Sequence, residues 1–446
     1  MCVFATSLAV AQSPADLPVD PAPVKQVSLL SPEQVAASAP IAPQGEAVNL
    51  GQAIDEALRR EPRVEVALQE IARAEALLGE ARAGWLPTLT GNGVYTRLDH
   101  DRIAGTGARL QADSVLQLNA NLNVPLVAPR GWVNSKHAKM SIGVARAASD
   151  EARRQVVLAV ARTYLSTIAQ QRVIEVDQRA VDNARAHHEF ARQRFAGGIG
   201  NELDEVRANQ EVALAEAQLE NARGQLALSQ EALGVLLGRD GPVDATAPES
   251  IPTGVEKPAE EMVSTRSDVR AQRGRVELAE RTVTDTWADY MPTLNATFMP
   301  FFQDPPTVQY PKTGWQAQLL LSVPFYDGGL RRGQLHERKA LAAAARVQFE
   351  SLMRAAKSEV RAAFSTMVQA DKSLAAAARG AGLARRALQM ANLAYRAGAT
   401  TDIEVIDAER RSRDAETSAV QAEDAARRAR LELLVSTGQL PDRPTH

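Results

Sequence analysis

The chain has 446 residues, a formal net charge of −3, 24 % charged residues and only 4 % aromatic ones. Alanine, arginine, glutamate, leucine and glutamine are abundant, the profile of long helices rather than of ordinary globules, and nothing in the charge balance offers nucleic acid a basic face. The one cysteine, Cys2, excludes a disulfide framework and a cysteine-based metal site.

In chain order, residues 1–11 carry no charge and end on Ala9-Val10-Ala11, a small-x-small cleavage pattern. They read as an incomplete secretory signal peptide lacking a basic n-region, or as an apolar tail. Residues 12–47 form a proline-rich linker, with seven prolines between 13 and 45. A helix is expected over 50–84, interrupted near Pro62. Strands follow at about 87–98 and 114–126, then a long helix over 130–196 and a shorter one over 202–237. After a linker at 241–258 the plan returns: a helix at 259–290, strands at about 292–302 and 314–325, a long helix at 329–397 and a shorter one at 402–436. Residues 441–446 are a tail. No stretch has the roughly 20 apolar residues of a membrane-spanning helix.

The return is a duplication. Gly84-Trp85-Leu86-Pro87-Thr88-Leu89 comes back as Asp289-Tyr290-Met291-Pro292-Thr293-Leu294, Val124-Pro125-Leu126 as Val323-Pro324-Phe325, and Arg194-Phe195-Ala196-Gly197-Gly198 as Ala394-Tyr395-Arg396-Ala397-Gly398. Three landmarks in one order at a near-constant offset define two repeats, 48–240 and 259–440. The long helices would each extend about 100 Å. The two short helices of a repeat together match the long one in length, so the economical packing stacks them end to end along it. Gly197-Gly198-Ile199-Gly200 and Ala397-Gly398-Ala399-Thr400 end the long helices as C-cap glycines do. Asn201, and Thr401 or Asp402, can cap the returning helices.

The strands are unusual. The runs 83–96, 114–129, 290–303 and 313–326 carry no charge. Leu116, Leu118, Ala120, Leu122 and Val124 share one face, against Gln117, Asn119, Asn121 and Asn123. Trp315, Ala317, Leu319, Leu321 and Val323 do likewise, against Gln316, Gln318 and Ser322. Period-two alternation defines a strand, and an uncharged polar second face suits the lumen of a transmembrane barrel. Twelve of the nineteen aromatics lie within 85–132 and 287–326. Trp85, Trp132, Trp287, Tyr290, Phe325 and Tyr326 flank the runs, where an interfacial aromatic belt belongs. The alternative is a soluble hairpin packed on a helix. Four strands cannot close a barrel whose smallest transmembrane form has eight, so strands in lipid would require oligomerisation.

No catalytic constellation, cofactor motif or metal-ligand cluster emerges. His187 and His188 are adjacent on a helix and diverge, which reads as a solvated helix surface. The glycines of Gly105-Thr106-Gly107-Ala108-Arg109-Leu110 lie between strands rather than before a helix, which removes a phosphate-cradle reading.

Taken together, the entries to the strands (Trp85-Leu86-Pro87-Thr88-Leu89, Tyr290-Met291-Pro292-Thr293-Leu294), the exit Val323-Pro324-Phe325-Tyr326-Asp327-Gly328-Gly329 and the two tip turns resemble the TolC-type outer-membrane efflux channel family over about 48–440. The resemblance implies a mainly helical mixed fold. Duplicated long hairpins would form a periplasmic tunnel, and four strands per chain would contribute to a 12-stranded barrel in a homotrimer. It implies an outer-membrane channel extending into the periplasm, a passive conduit for efflux or type I secretion, with a periplasmic adaptor (membrane fusion) protein and an inner-membrane transporter as partners. It gives the tip residues Phe195, Gly198, Tyr395 and Gly398 a docking role, although Phe195 and Tyr395 could equally be buried staples of their hairpins. Glu404 and Asp407 share a helix face. By spacing alone they are first-turn acids that offset the helix dipole, whereas the resemblance implies an acidic constriction at the periplasmic entrance. The first repeat has Asp204 but Arg207 at the matching places, so that ring would come from the second repeat alone. A competing reading is a periplasmic helical-hairpin scaffold or adaptor without a pore.

Overall fold

The computed structural model describes residues 46–105, 109–246, 260–306 and 311–438. The expected leader, most of both linkers and the tail at 441–446 lie outside the described residues.

The first repeat opens with β1 (Ala47–Val48), α1 (Leu50–Arg60) and α2 (Pro62–Ala83). Asn49 caps α1: its side chain accepts from the Gln52 amide at 2.8 Å, and Gln52 Oε1 accepts from the Asn49 amide at 3.2 Å, a reciprocal capping box. Pro62 is the first residue of α2, where its missing N–H costs nothing, so it starts a new helix. Then come β2 (Thr88–Arg97), a small hairpin of β3 (Arg102–Ile103) and β4 (Arg109–Gln111), β5 (Ser114–Val127), α3 (Pro129–Ala196), α4 (Glu202–Leu236) and β6 (Asp244–Ala245). The second repeat comprises α5 (Ser267–Thr284), β7 (Thr293–Asp304), β8 (Thr313–Ser322), α6 (Leu330–Arg396) and α7 (Asp402–Ser436). The helix expected over 259–290 is α-helical only in α5. Tight 3₁₀ turns, Glu260–Thr265 and Asp285–Asp289, replace its two ends. Arg266 turns inward between turn and helix, donating to the Ser436 carbonyl at 3.1 Å and pairing with Asp268 and Glu359, both at 2.9 Å. At the head of α6, Gly328 and Gly329 have φ of 68° and 91°, a turn open to glycine. The Asp327 carboxylate holds it by accepting from the Gly329 and Arg331 amides, both at 3.1 Å.

The two short helical pieces of each repeat meet beside the middle of the long helix. On α3 the seam is a core of Val156, Val160, Tyr164 and Ile168 packed against Ala53 and Ile54 from α1 and Leu233 and Leu237 from the end of α4. Burying such side chains contributes about 1.5–3 kcal/mol each. The two-residue strands β1 and β6 pair in parallel over this seam. The buried Tyr164 hydroxyl donates to the Thr246 carbonyl at 2.5 Å. Gln171 and Gln230 both donate to the Asp244 carboxylate, at 2.6 and 2.9 Å. Gly234 is required here: a Cβ would stand 2.0 Å from the Gly241 carbonyl oxygen. The equivalent seam on α6 uses Ala356 and Val360 against Val263 and Val269.

The long helices differ in their surroundings. α3 is flanked by α1, α2, α4, α5 and α7, whereas α6 packs chiefly on α5 and α7. As a result α6 leaves Leu341, Val347, Leu383, Met390 and Leu393 between 59 % and 70 % exposed.

β2, β5, β7 and β8 form one antiparallel sheet in that order. Its register sets rows across all four strands. Leu89, Leu122, Phe298 and Ala317 line up on one face, and Thr88, Asn123, Thr297 and Gln318 on the other. On the polar face Asn92 donates to Asn119 at 3.0 Å and Gln117 to Gln303 at 3.3 Å. On the apolar face the rings of Phe298 and Trp315 lie 5.9 Å apart. Both sheet edges, β2 and β8, are open, and both are exposed almost throughout.

An arginine at Leu122 or Leu319 should therefore destabilise the membrane-inserted form by about 2–4 kcal/mol. The same change at Asn119 or Gln318 should leave it stable. Heat-modifiability gels across a urea series check this; equal losses on the two faces would overturn the face assignment.

Candidate functional site

The two helical hairpins end in turns of one geometry. At the first, the Gly198 amide donates to the Phe195 carbonyl at 2.9 Å and the Ile199 amide to the Arg194 carbonyl at 3.1 Å. At the second, Gly398 donates to Tyr395 at 3.0 Å and Ala399 to Ala394 at 2.8 Å. These are Schellman closures, with Gly198 and Gly398 at φ of 74° and 72°. Asn201 caps α4 by accepting from the Leu203 amide at 3.1 Å. The second turn departs from the expected cap. Thr401 makes no capping bond, and Asp402 faces inward rather than toward its own helix start.

Asp402 is buried and lies 2.7 Å from His187 Nε2 of α3, itself only 6 % exposed. His187 is thus a core residue between the two hairpins, not part of a solvated helix surface. Sequence gave no signal of this, because the partners lie 215 residues apart. Tyr395 is buried as well. Its ring lies 5.3 Å from His187 and 5.6 Å from Phe190, with the Arg194 guanidinium 5.0 Å above it. Burial and the nearby Asp402 carboxylate push the Tyr395 hydroxyl pKa up. Tyr395 braces the hairpin from within, while Phe195 is 41 % exposed at the first tip. Gly198 and Gly398 are exposed at the turns.

Glu404 and Asp407 are both exposed on the first two turns of α7. The Thr400 hydroxyl donates to Glu404 at 2.8 Å, and Asp407 pairs with Arg411 at 2.9 Å. The structure therefore puts both carboxylates on an open surface beside the second tip, with the exposed Arg411 guanidinium paired to one of them.

A ladder of ion pairs joins α3 to α7 antiparallel. From the tip upward its rungs are His187–Asp402, Arg179–Glu416 at 3.1 Å, Arg172–Glu423 at 2.5 Å and Arg162–Glu432 at 2.7 Å. The rungs fall 8, 7 and 10 residues apart on α3 and 14, 7 and 9 on α7, so only the middle interval is a heptad on both helices. Arg410 of α7 adds a link to α4, donating from two nitrogens to Glu211 Oε2 at 2.6 and 2.8 Å.

At the other end, the flanking aromatics lie at the junctions where helices meet strands. Trp85 Nε1 donates to Ser135 at 3.0 Å, and Arg331 sits 4.7 Å over the Tyr290 ring. Trp132, Trp287 and Tyr290 are about half exposed; Phe325 and Tyr326 are 92 % and 87 % exposed. At the same junctions, Asp289 pairs with Arg130 at 3.0 Å and Arg338 at 2.7 Å, and Asp285 with Arg281 at 2.8 Å and His137 at 3.1 Å. Burial opposes the ionisation of Asp285, but its bonds from Arg281 and His137 outweigh that and hold its pKa below the usual range. Among the described residues no group of three or more His, Cys, Asp or Glu is arranged to hold a metal, and no helix is long and apolar enough to cross a membrane.

A short two-faced sheet set on long paired helices is the plan of a β-barrel channel subunit with a periplasmic helical extension. The chain belongs to the Outer membrane efflux protein family, whose profile matches residues 53–239 and 259–439. It is similar to Nodulation protein T of Rhizobium leguminosarum bv. trifolii, with 22 % identity over 80 % of this chain and 78 % of that one. It is also similar to the cation efflux system protein CusC of Escherichia coli K12, with 21 % identity over 79 % and 75 %. Among solved structures, CusC superposes with a TM-score of 0.78 at 18 % identity, covering 90 % of this chain and 96 % of that one. The open-state MtrE channel of Neisseria gonorrhoeae gives 0.73 at 22 % identity, covering 89 % and 90 %. The protein is an outer-membrane efflux channel component that extends into the periplasm.

Replacing Tyr395 with alanine should cost about 3–5 kcal/mol of local packing, seen as faster protease nicking at the second tip. Phe195→Ala should change stability by less than about 0.5 kcal/mol. Equal nicking in the two variants would overturn the division between buried brace and exposed tip.

Proposed function

We propose that three copies of the chain assemble into one conduit, with a 12-stranded barrel in the outer membrane and a helical tunnel across the periplasm. The observation that carries this reading is the sheet: four strands with both edges open, one face apolar and the other uncharged and rich in amides and threonines. In lipid every backbone donor and acceptor needs a partner, and a threefold repeat joining β8 of one copy to β2 of the next supplies one. The bare face of α6 supports the same association, because its exposed leucines and Val347 gain a neighbour. The aromatics Trp85, Trp132, Trp287, Tyr290, Phe325 and Tyr326 then act as the belt at the periplasmic side of the membrane.

The conduit is passive and does no chemistry. Its paired tips, with exposed Phe195, Gly198 and Gly398, serve as the docking edge for a periplasmic adaptor that couples it to an inner-membrane transporter. Glu404 and Asp407 form the constriction at the entrance, six carboxylates around the threefold axis. Their exposure and their place beside the second tip support this, and the partial neutralisation of Asp407 by Arg411 makes Glu404 the stronger field source. A scaffold without a pore would have no use for a sheet with a lipid-compatible face.

In planar bilayers, Glu404→Gln combined with Asp407→Asn should lower cation-over-anion permeability by about twofold or more and weaken block by trivalent cations, since rings of acids set cation selectivity. The double variant should still run as a trimer. Unchanged selectivity and block would mean that these acids serve only the start of α7. A chain cut after residue 245 should give no detergent-stable pore; a stable pore from the first repeat alone would refute the shared wall.

A further inference from the structure

Between the first and second rungs of the α3–α7 ladder sits Glu409, nine-tenths buried, with its Oε2 atom lacking any hydrogen-bond partner. It lines a cleft of about 120 Å³ between the two hairpins, at the level of Asn183 and Ala184 on α3 and Leu388 on α6. A buried carboxylate oxygen without a partner is costly when ionised and cheap when protonated. The groups facing it favour the neutral form on balance. From α4 comes Glu211, whose charge is already shared with Arg410; from its own helix come Asp402 and Glu416; from α3 come His187 and Arg179. Arg179 and Arg385 of α6 are both occupied by Glu416, at 3.1 and 3.2 Å, and Arg413 by Asp414 at 2.9 Å. No cation lining the cleft is left to claim Glu409 as its counter-ion.

The neighbouring rung, the buried His187–Asp402 pair, is similarly short of partners: Asp402 has one oxygen, Oδ2, with no hydrogen bond. Protonating Glu409 removes a buried charge from this region, which favours packing of α7 against α3.

We propose that Glu409, beside the His187–Asp402 pair, forms a proton-operated latch that holds the second hairpin against the first at the tunnel entrance and loosens as Glu409 loses its proton. The functional consequence rests on the reading of the tips as the entrance; the latch itself is a property of the hairpin pair. Burial pushes the Glu409 carboxyl up to about 7, His187 opposing and Glu211 and Asp402 adding to it. With the packed state holding its proton to higher pH than the separated state, packing is favoured at acid pH and weakens as pH rises from the ordinary carboxylate range through about 7.

The test uses the full-length protein as purified in detergent, with Cys2 replaced by serine and nitroxide labels on exposed Ala186 of α3 and Met390 of α6. Pulsed electron spin resonance should give a narrow separation at about pH 5.5 and an added longer component at about pH 8.5. Glu409→Gln should remove most of that longer component. A wild-type distribution identical at the two pH values would overturn the latch, as would an unchanged pH response in Glu409→Gln. Bilayer conductance measured in parallel separates the two ideas. A pH-dependent separation without any pore removes the entrance reading and leaves the latch, whereas a pore whose tips keep one separation removes the latch and leaves the channel.

Discussion

The open edges of β2 and β8 are the constraint on which the rest depends. Each edge presents a row of backbone donors and acceptors that water can satisfy and hydrocarbon cannot. A soluble sheet protects such edges with charges, prolines or covering loops; the strands here are free of charge over their central residues. The register compounds the effect by placing an apolar row and an amide row on opposite faces of all four strands, so neither face is a core in the single chain. This demand for partners explains why the helices are built as they are. α3 is enclosed by its own chain, while α6, equally long, leaves one face bare. In the proposed trimer, the sheet edges and the α6 face are completed together.

The two repeats share a plan and differ in what each contributes. The Schellman closures at Gly198 and Gly398 are superposable in their hydrogen bonds, and each long helix carries an apolar seam at its midpoint where the short pieces meet. The differences are chemical. The first tip displays Phe195, whereas the second encloses Tyr395 under Arg194. The first returning helix is capped by Asn201, whereas the second begins with Asp402 turned away to His187. Duplication supplied the frame, and divergence of side chains at equivalent places separated a braced hairpin from an exposed one.

The ladder between α3 and α7 shows how long helices can be held without a large core. Exposed ion pairs contribute little singly, about 0–1 kcal/mol, but a series of them along the two helices fixes register over tens of ångströms. Toward the mid-helix seam, Tyr164 and the valines around it supply apolar burial. Toward the tip, the arginine pairs and finally the His187–Asp402 pair accompany the buried Tyr395, Val405 and Ile406.

Much of this was determined by the sequence alone. Period-two alternation, charge-free runs, glycine turns and the doubled landmarks are local or repeated signals, and they located the strands with their apolar and polar rows, the long helices and both tips without knowledge of any contact. The interruption near Pro62 and Asn201 as a cap were equally local. The tertiary structure alone decided that His187 and Tyr395 are buried, that Asp402 is a pairing group rather than a cap, that Glu409 lacks a partner, and that α5 is shortened by 3₁₀ turns around Arg266. The reason is the same in each case. Burial and pairing at these positions depend on which face of one hairpin meets the other, and the residues that meet lie about 200 positions apart, beyond the reach of any spacing rule.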